Sequence, residues 1–260
     1  MKLREWQRLR LSELRGKPFK VSSYWGTVTL VAYSFPQDVN GESFDFIESA
    51  VLQSWDVLGA LKTIIVSHCH FPKLKEFVRR YPQFLEVQVE PSLMPGEIGT
   101  MSADCCSKLY SRFSTEYCLV IQDDGFPICD MLGAFVGKWD FIGAPYVRIS
   151  WWRNFICSIL GYWMSNGGFS LRSRRICEAA AKYWCKYKKF HPSELTVDDL
   201  YYTKTLPLRH PIYRFKYRVA PNDVAIMFAY DALVPQPIKT CPFGFHRATT
   251  FEMIYDKGLI

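Results

Sequence analysis

The stretch Tyr117-Cys-Leu-Val-Ile-Gln-Asp-Asp-Gly-Phe-Pro127 decides the fold that this sequence predicts. Its apolar run, residues 118–121, is typical of a short buried strand. The run ends in polar residues that include Asp123 and Asp124, and a glycine and a proline then turn the chain away. Adjacent carboxylates at the end of a buried strand require a partner, and a divalent cation carrying phosphate oxygens fits that position. A solvated turn explains the same residues equally well.

Strands and helices alternate before this stretch, and the pattern changes after Pro127. The pattern predicts strands at 27–33, 61–66, 85–89 and 139–143, and helices at 44–58, 72–81, 98–113, 173–189 and 197–205. Alternation up to residue 124 predicts βαβ units. The predicted fold class is therefore α/β, with a Rossmann-like, mostly parallel sheet flanked by helices and a smaller subregion after it. Beyond residue 205 we expect short strands and loops.

Bulk composition excludes several classes of protein. The 260 residues are 49% hydrophobic, which is enough for one large core. A net charge of +7 suits an anionic ligand, an anionic membrane surface or nucleic acid. Because the sequence has no nucleic-acid-binding signature, we expect no nucleic-acid partner. Nine cysteines without a Cys-x-x-Cys motif predict reduced thiols of a cytosolic protein. We expect no signal peptide, since basic residues interrupt the apolar residues at 1–10, and no apolar run is long enough to span a bilayer.

Two segments have more than one interpretation. Residues 1–20 form a basic amphipathic helix on an acidic membrane or, as we favour, a surface helix that packs Trp6 and Leu9 on the domain. We therefore divide the chain into an N-terminal helix or extension at 1–22 and a single domain at 23–260. The aromatic segment 150–164 is an interfacial insertion, an acceptor-binding lid or core packing.

Ser165-Asn-Gly-Gly-Phe-Ser-Leu-Arg-Ser173 is a candidate ligand-binding stretch. Gly167 and Gly168 let the backbone approach a ligand closely, and the Asn166 and Arg172 side chains supply hydrogen bonds for hydroxyls and phosphates. An ordinary Asn-Gly hairpin turn is the alternative.

Two further stretches contain candidate catalytic groups. In residues 196–202, Asp198 and Asp199 open a helix, where they either stabilise its first turn or provide a general base for an attacking hydroxyl. In residues 242–247, His246 is a metal ligand, a hydrogen-bond donor to phosphate or a structural residue between aromatic rings.

Taken in order, the runs Gln-Asp-Asp, Asn-Gly-Gly-Phe-Ser-Leu-Arg, Asp-Asp and Phe-Gly-Phe-His resemble the motifs of a bacterial-type glycosyltransferase family. That family is similar to inverting nucleotide-sugar transferases of the GT-A fold, such as β-1,4-galactosyltransferases and Fringe-type enzymes. The resemblance covers about residues 27–250 and implies a GT-A-like fold, with a nucleotide-binding half at 23–127 and an acceptor and catalytic half at 128–260.

The resemblance also implies roles for individual residues. Asp124 would bind Mn²⁺ or Mg²⁺, Asp123 would support the metal or the ribose, and His246 would complete the metal or diphosphate site. Asp199 would be the general base, and Asp198 and Trp163 would bind the acceptor. The residues implied at the donor are Ala32, Tyr33, Ser34, Gln122, Asp123, Asn166, Gly167, Gly168 and Arg172.

The implied activity is transfer of a sugar, with inversion, from a UDP-sugar to a hydroxyl of a glycan or lipid-linked glycan in polysaccharide biosynthesis. We expect a cytoplasmic protein with peripheral contact at the inner face of a membrane; the oligomeric state is not predicted. One alternative is a nucleotidyltransferase or phosphoesterase that would need Asp130 and Asp140 for a second metal. Another is a non-catalytic module that binds glycans or nucleotides.

Overall fold

The computed structural model describes residues 1–34, 43–94, 97–145, 165–190, 198–231 and 241–259. The strands in these ranges are β1 (Val28–Ser34), β2 (Thr63–Ser67), β3 (Leu85–Val89), β4 (Tyr117–Ile121), β5 (Phe141–Pro145), β6 (Ser165–Ser173), β7 (Ala229–Asp231) and β8 (Gly244–His246). The main sheet has the order β3-β2-β1-β4-β6-β5, and β7 and β8 pair separately. Strands β1 to β4 are parallel, while β6 is antiparallel to both of its neighbours. The predicted mostly parallel α/β sheet is confirmed.

Helices cover both faces of this sheet. They are α1 (Leu3–Leu14), α2 (Phe44–Leu58), α3 (Pro72–Arg80), α4 (Ile98–Ser107), α5 (Leu109–Arg112), α6 (Arg174–Phe190), α7 (Asp198–Leu200), α8 (Leu206–Arg209), α9 (Pro211–Lys216), α10 (Asn222–Phe228) and α11 (Ala248–Asp256). A π-helical segment, Tyr201–Thr205, joins α7 to α8. None of the helices in the described ranges is long and apolar enough to cross a membrane.

The central strand β4 is apolar throughout because it is covered on both faces. Leu119 and Ile121 belong to a core with α1, α2 and α11, whereas Cys118 and Val120 face a second core with α4 and α6. A strand buried on both faces cannot alternate with polar residues. The carboxylates therefore begin only where β4 ends.

Several sequence-based boundaries are confirmed and others are wrong. Helix α2 and strand β3 have the predicted bounds, but the predicted helix 98–113 is divided at Lys108, whose φ and ψ are −121° and −16°. The expectation of only strands and loops after residue 205 is wrong, because α9, α10 and α11 lie there. Two of these helices begin at or just after a proline, which fits the first turn of a helix and need not break one.

The Asn-Gly hairpin alternative for residues 165–173 is also wrong. The whole stretch is the single strand β6, hydrogen-bonded between β4 and β5. Gly143 of β5 makes this possible, because a Cβ there would lie 2.1 Å from the Asn166 carbonyl oxygen. The glycine pair 167–168 is thus fixed within a sheet.

The N-terminal helix α1 packs on the domain, as favoured above, but not through Leu9, which is 51% exposed. Leu3, Leu11 and Leu14 are buried, and Trp6 stacks on Phe126 with 5.9 Å between ring centroids. Leu9 points outward because it lies two residues from the buried Leu11, which places it on the opposite side of a helix with 3.6 residues per turn.

Candidate functional site

The candidate site is built on the turn that follows β4. The Gln122 N–H donates to the Gly125 carbonyl oxygen (3.0 Å), and the Gly125 N–H donates back (3.2 Å), so residues 122–125 form a tight turn. This turn directs the Asp123 and Asp124 side chains outward at the carboxyl ends of the parallel strands. Their side chains are 37% and 31% exposed. Ligands of open α/β sheets bind at this edge.

Strand β8 brings His246 to the same turn. Its Nε2 atom lies 3.8 Å from Asp124 Oδ1 and 3.3 Å from Gln122 Oε1, while Nδ1 lies 3.4 Å from Asp231 Oδ2. The next residue, Arg247, has a φ of +82° and donates its backbone N–H to the Asp124 carbonyl oxygen (2.8 Å). A non-glycine residue in this region is strained, and such strain is found where a site needs a fixed geometry.

The environment of Asp124 raises the pKa of its carboxyl group. Burial raises the pKa of Asp124 above its usual value, a positive charge on His246 opposes this rise, and the neighbouring Asp123 carboxylate adds to it. A bound cation would offset both the free-energy cost of burying the Asp124 charge and the repulsion between the two carboxylates. The donor set, a carboxylate with an imidazole, is chemically suited to Mn²⁺ or Mg²⁺.

Asp123 is held by the N-terminal helix. Arg4 donates from its guanidinium to the Asp123 carboxylate, and the Gln7 Nε2 donates to the Asp123 carbonyl oxygen (2.5 Å). The Arg4 guanidinium also lies over the Phe46 ring, 4.1 Å from its centroid. Sequence reasoning missed both residues of α1. The one available signal is Gln7, a polar residue in line with buried Leu3, Leu11 and Leu14.

The two glycines of β6 lie between two groups of side chains. A Cβ on Gly168 would be 2.4 Å from Gln122 Oε1 and 2.5 Å from His246 Nε2. A Cβ on Gly167 would be 2.8 Å from Asp198 Oδ2 and 3.3 Å from Asp199 Cβ. A larger residue at either position would therefore displace neighbouring side chains, and each glycine faces one of the predicted groups.

On the Gly167 side, an ion pair is buried. Arg172 is fully buried and donates to Asp198 Oδ2 (2.6 Å), to the Gly167 carbonyl oxygen (3.0 Å) and to Ser170 Oγ (3.0 Å). Asp198 also accepts a hydrogen bond from Ser102 Oγ (3.2 Å), a residue that sequence reasoning did not select. The predicted contacts of Arg172 with the sugar donor and of Asp198 with the sugar acceptor stay predictions, because in this structure the two charges pair with each other.

Asp199 lies beside this pair and is 6% exposed. Its carbonyl oxygen accepts a hydrogen bond from Thr203 Oγ1 (2.7 Å), which fixes the backbone at the start of the π-helical segment. Segments of this kind are found frequently at functional sites. Asn166 is also close, and its Oδ1 accepts the Gly168 N–H (2.8 Å).

The predicted nucleotide residues lie at the end of β1, next to β4. Ala32 is in register with Ile121, and both Ala32 and Ser34 are buried. Tyr33 turns its hydroxyl away, toward Asp104 Oδ2 (2.8 Å). The Ser34 hydroxyl has no hydrogen-bond partner among the described residues. Trp163 lies outside the described residues, as does the segment around it.

The geometry disfavours a two-metal phosphoesterase built with Asp140. This carboxylate is buried and accepts hydrogen bonds from Arg175 (2.5 Å) and Ser173 (2.6 Å). Ser173 pairs with Tyr117 at the start of β4, whereas Asp124 follows the end of that strand. Within the described ranges, no three His, Cys, Asp or Glu residues form a group that could hold a metal.

Comparison with protein families yields one match. The model of the family described as "Protein of unknown function (DUF5672)" matches residues 90–246, more than half of the chain. The matched range includes the β4 turn, the glycine pair and His246. A search of curated proteins finds no match.

Several solved structures are similar to this chain at low sequence identity. The apo form of the glycosyltransferase GlyE of Streptococcus pneumoniae TIGR4 has a TM-score of 0.52 and 11% identity, over 85% of this chain and 54% of that chain. The galactosyltransferase LgtC, in complex with donor and acceptor sugar analogues, has a TM-score of 0.50 and 9% identity, over 89% and 94%. The S. cerevisiae mannosyltransferase Ktr4p, in complex with GDP, has a TM-score of 0.46 and 10% identity, over 78% and 72%. GlyE and LgtC establish a GT-A-like fold.

Proposed function

The chain belongs to the DUF5672 family, and we propose that it is a metal-dependent glycosyltransferase that moves a sugar from a nucleotide-sugar donor to an acceptor hydroxyl. The observation that carries this proposal is the position of the glycine pair in β6. Gly168 lies against His246 and Gln122, and Gly167 lies against Asp198 and Asp199. A sugar at the glycine pair would have its leaving group on one side and a proton acceptor on the other.

The residues present fit a divalent cation bound together with a diphosphate. Asp124 and His246 supply two ligands, and the absence of a side chain at Gly168 lets the β6 backbone lie close to His246 Nε2. Mg²⁺ and similar cations are commonly held by one or two protein carboxylates, with substrate phosphates and water as the other ligands. When bound, the metal would stabilise the negative charge of the departing diphosphate.

The protein's own groups provide the other steps. Asp199 accepts the proton of the acceptor hydroxyl, and the buried Arg172–Asp198 pair fixes the start of its helix beside Gly167. A base on the opposite side of the sugar from the leaving group supports inversion, as it does in inverting glycosidases. Ala32 and Ser34, at the end of β1, are the proposed neighbours of the nucleotide, for which we propose uridine.

We extend the proposal to the acceptor and the location. A glycan or a lipid-linked glycan is the proposed acceptor, and a cytoplasmic protein at the inner face of a membrane is the proposed location. The net charge of +7 supports a lipid-linked acceptor and the membrane location, because lipid-linked precursors and membrane surfaces carry phosphate groups.

The test is nucleotide release from a panel of UDP- and GDP-sugars in the presence of Mn²⁺. We expect Asp124→Asn and Asp199→Asn each to lower the rate by about 10²–10⁴-fold, the usual contribution of such groups. Asp130→Asn is the matched control, since this aspartate is exposed and lies six positions from Asp124. Its rate should equal that of the wild-type protein.

Three other outcomes would contradict the proposal. Tight nucleotide binding without turnover, with or without acceptors, would indicate a binding module. Release of sugar phosphate together with nucleoside monophosphate would indicate a phosphoesterase. Full transfer by Asp199→Asn would show that another group accepts the proton.

A further inference from the structure

A cavity on the outer side of α6 lies away from the candidate active site. It is formed mainly by α6 and α9 and has a volume of about 330 Å³. Arg175, which lines it, follows Ser173 at the edge of the sheet where β4 begins, whereas Asp124 lies at the opposite edge. The volume is within the range of small-molecule sites, and the proposed sugar transfer does not use this cavity.

The lining of this cavity is positively charged. Arg175, Lys182 and Lys216 line it, together with a single carboxylate, Glu178. Arg175 and Glu178 are each engaged by a neighbouring residue of opposite charge. Lys182 and Lys216 are exposed, and neither has an ion pair with any residue that the structure describes. The lining therefore favours an anionic ligand.

Aromatic rings form part of the wall and hold the cations. The Tyr217 ring has the Arg175 guanidinium 5.6 Å from its centroid and the Lys216 ammonium also at 5.6 Å. The adjoining Tyr183 ring stacks on His210 at 3.9 Å. Contacts of this kind stabilise a cation beside an aromatic ring.

The rim of the cavity exposes large apolar side chains. Ile212 lines the cavity and is 79% exposed, and Phe215, on the same short helix, is 80% exposed. Both belong to α9, which also carries Lys216. Basic residues beside exposed Ile and Phe are the combination found where proteins lie at a lipid–water interface.

We propose that this cavity binds the phosphate of an anionic phospholipid headgroup. Lys182 and Lys216 contact the phosphate, and Ile212 and Phe215 enter the boundary between headgroups and acyl chains. The two kinds of side chain together require an amphiphile, because a free phosphate would leave the apolar pair in water. The inference does not depend on the proposed transferase activity.

The test is co-sedimentation of the full-length protein with vesicles of phosphatidylcholine alone or mixed with phosphatidylglycerol. We expect binding to the mixed vesicles only. Lys182→Ala combined with Lys216→Ala should weaken it about 25-fold, since one basic residue near an anionic surface contributes about 1 kcal/mol, or about fivefold. Ile212→Ser with Phe215→Ser should weaken it as well. All four side chains are exposed, so the variants should fold, which circular dichroism would verify.

The matched control removes the same charge elsewhere. Lys20 and Lys257 are exposed lysines outside the cavity lining, and their double alanine variant should keep most of the binding. If the two double alanine variants lost vesicle binding equally, the proposal would be overturned, because the net charge of the protein alone would then explain its attraction to the vesicles. It would also be overturned if glycerol phosphate bound at Lys182 and Lys216 while vesicles did not.

Discussion

Gly168→Ala is the sharpest single test of the candidate site. The added Cβ would lie 2.5 Å from His246 Nε2, and the imidazole must retreat by about 0.9 Å to reach an ordinary contact of 3.4 Å. Gln122 can move away by rotating its side chain, but His246 is restrained on its other side by Asp231. Because displacing a reacting or binding group by about 1 Å can cost about 10²-fold in rate, we expect a comparable loss in kcat/KM.

The assay combines nucleotide release in Mn²⁺ with thermal unfolding. Overpacking costs about 1–3 kcal/mol, so Gly168→Ala should remain folded at 25 °C while losing activity. Gly26→Ala is the matched control, because a Cβ there meets nothing within 4 Å. A folded Gly168→Ala protein with wild-type kcat/KM would refute the placement of the donor beside His246.

Three further perturbations test the surroundings of the site. Arg4→Ala removes the positive charge that pairs with Asp123. Because this relieves about 1 kcal/mol of repulsion between the guanidinium and the metal ion, the variant should bind Mn²⁺ about fivefold more tightly. Electron paramagnetic resonance of free Mn²⁺ measures the affinity, and an unchanged affinity would contradict the prediction. Asp198→Ala leaves the Arg172 guanidinium buried without its carboxylate partner and should lower the free energy of unfolding by about 3–5 kcal/mol. Urea unfolding measures this change. A loss below about 1 kcal/mol would show that the pair is not buried in solution. Burial alone would raise the pKa of Asp140, but hydrogen bonds to its carboxylate outweigh this and lower the pKa below its usual value. The stabilisation that results is complete above the pKa of the unfolded state, about 4, and is lost as the pH falls through the lower pKa of the folded state. The loss of unfolding free energy in Asp140→Asn should therefore shrink in acid. A loss that does not change with pH would show that the Asp140 carboxylate is not stabilised in this way.

Local patterns were sufficient to predict the framework of the sheet. Helix α2 and strand β3 have the predicted bounds because periodic apolar residues end at clear breaks, such as Gly59 with a φ of +75°. Strand β4 was predictable because a strand buried on both faces is apolar throughout. The helices after residue 205 are difficult to predict because prolines are common in loops, although a proline also fits the first turn of a helix.

The candidate site was only partly predictable. His246 and Asp124 were paired through resemblance to a family, since no local pattern relates residues so distant in the chain. The donor contact of Arg172 stays a prediction; its side chain lies on the same side of the sheet as Cys118 and pairs with Asp198, which the sequence pattern did not indicate. Arg4 was missed because its contact with the site depends on how α1 packs, which sequence periodicity does not specify.

The packing of α1 also determines when the site can assemble during synthesis. Trp6 contacts Phe126, next to the β4 turn, and Phe251 of α11, with 5.1 Å between the latter ring centroids. Helix α1 is synthesised before β4 and α11, so its apolar face is completed only after both of those elements have been made. Contacts between such distant residues slow folding and leave apolar surface uncovered meanwhile. The Arg4 contact that holds Asp123 is therefore among the last parts of the site to form.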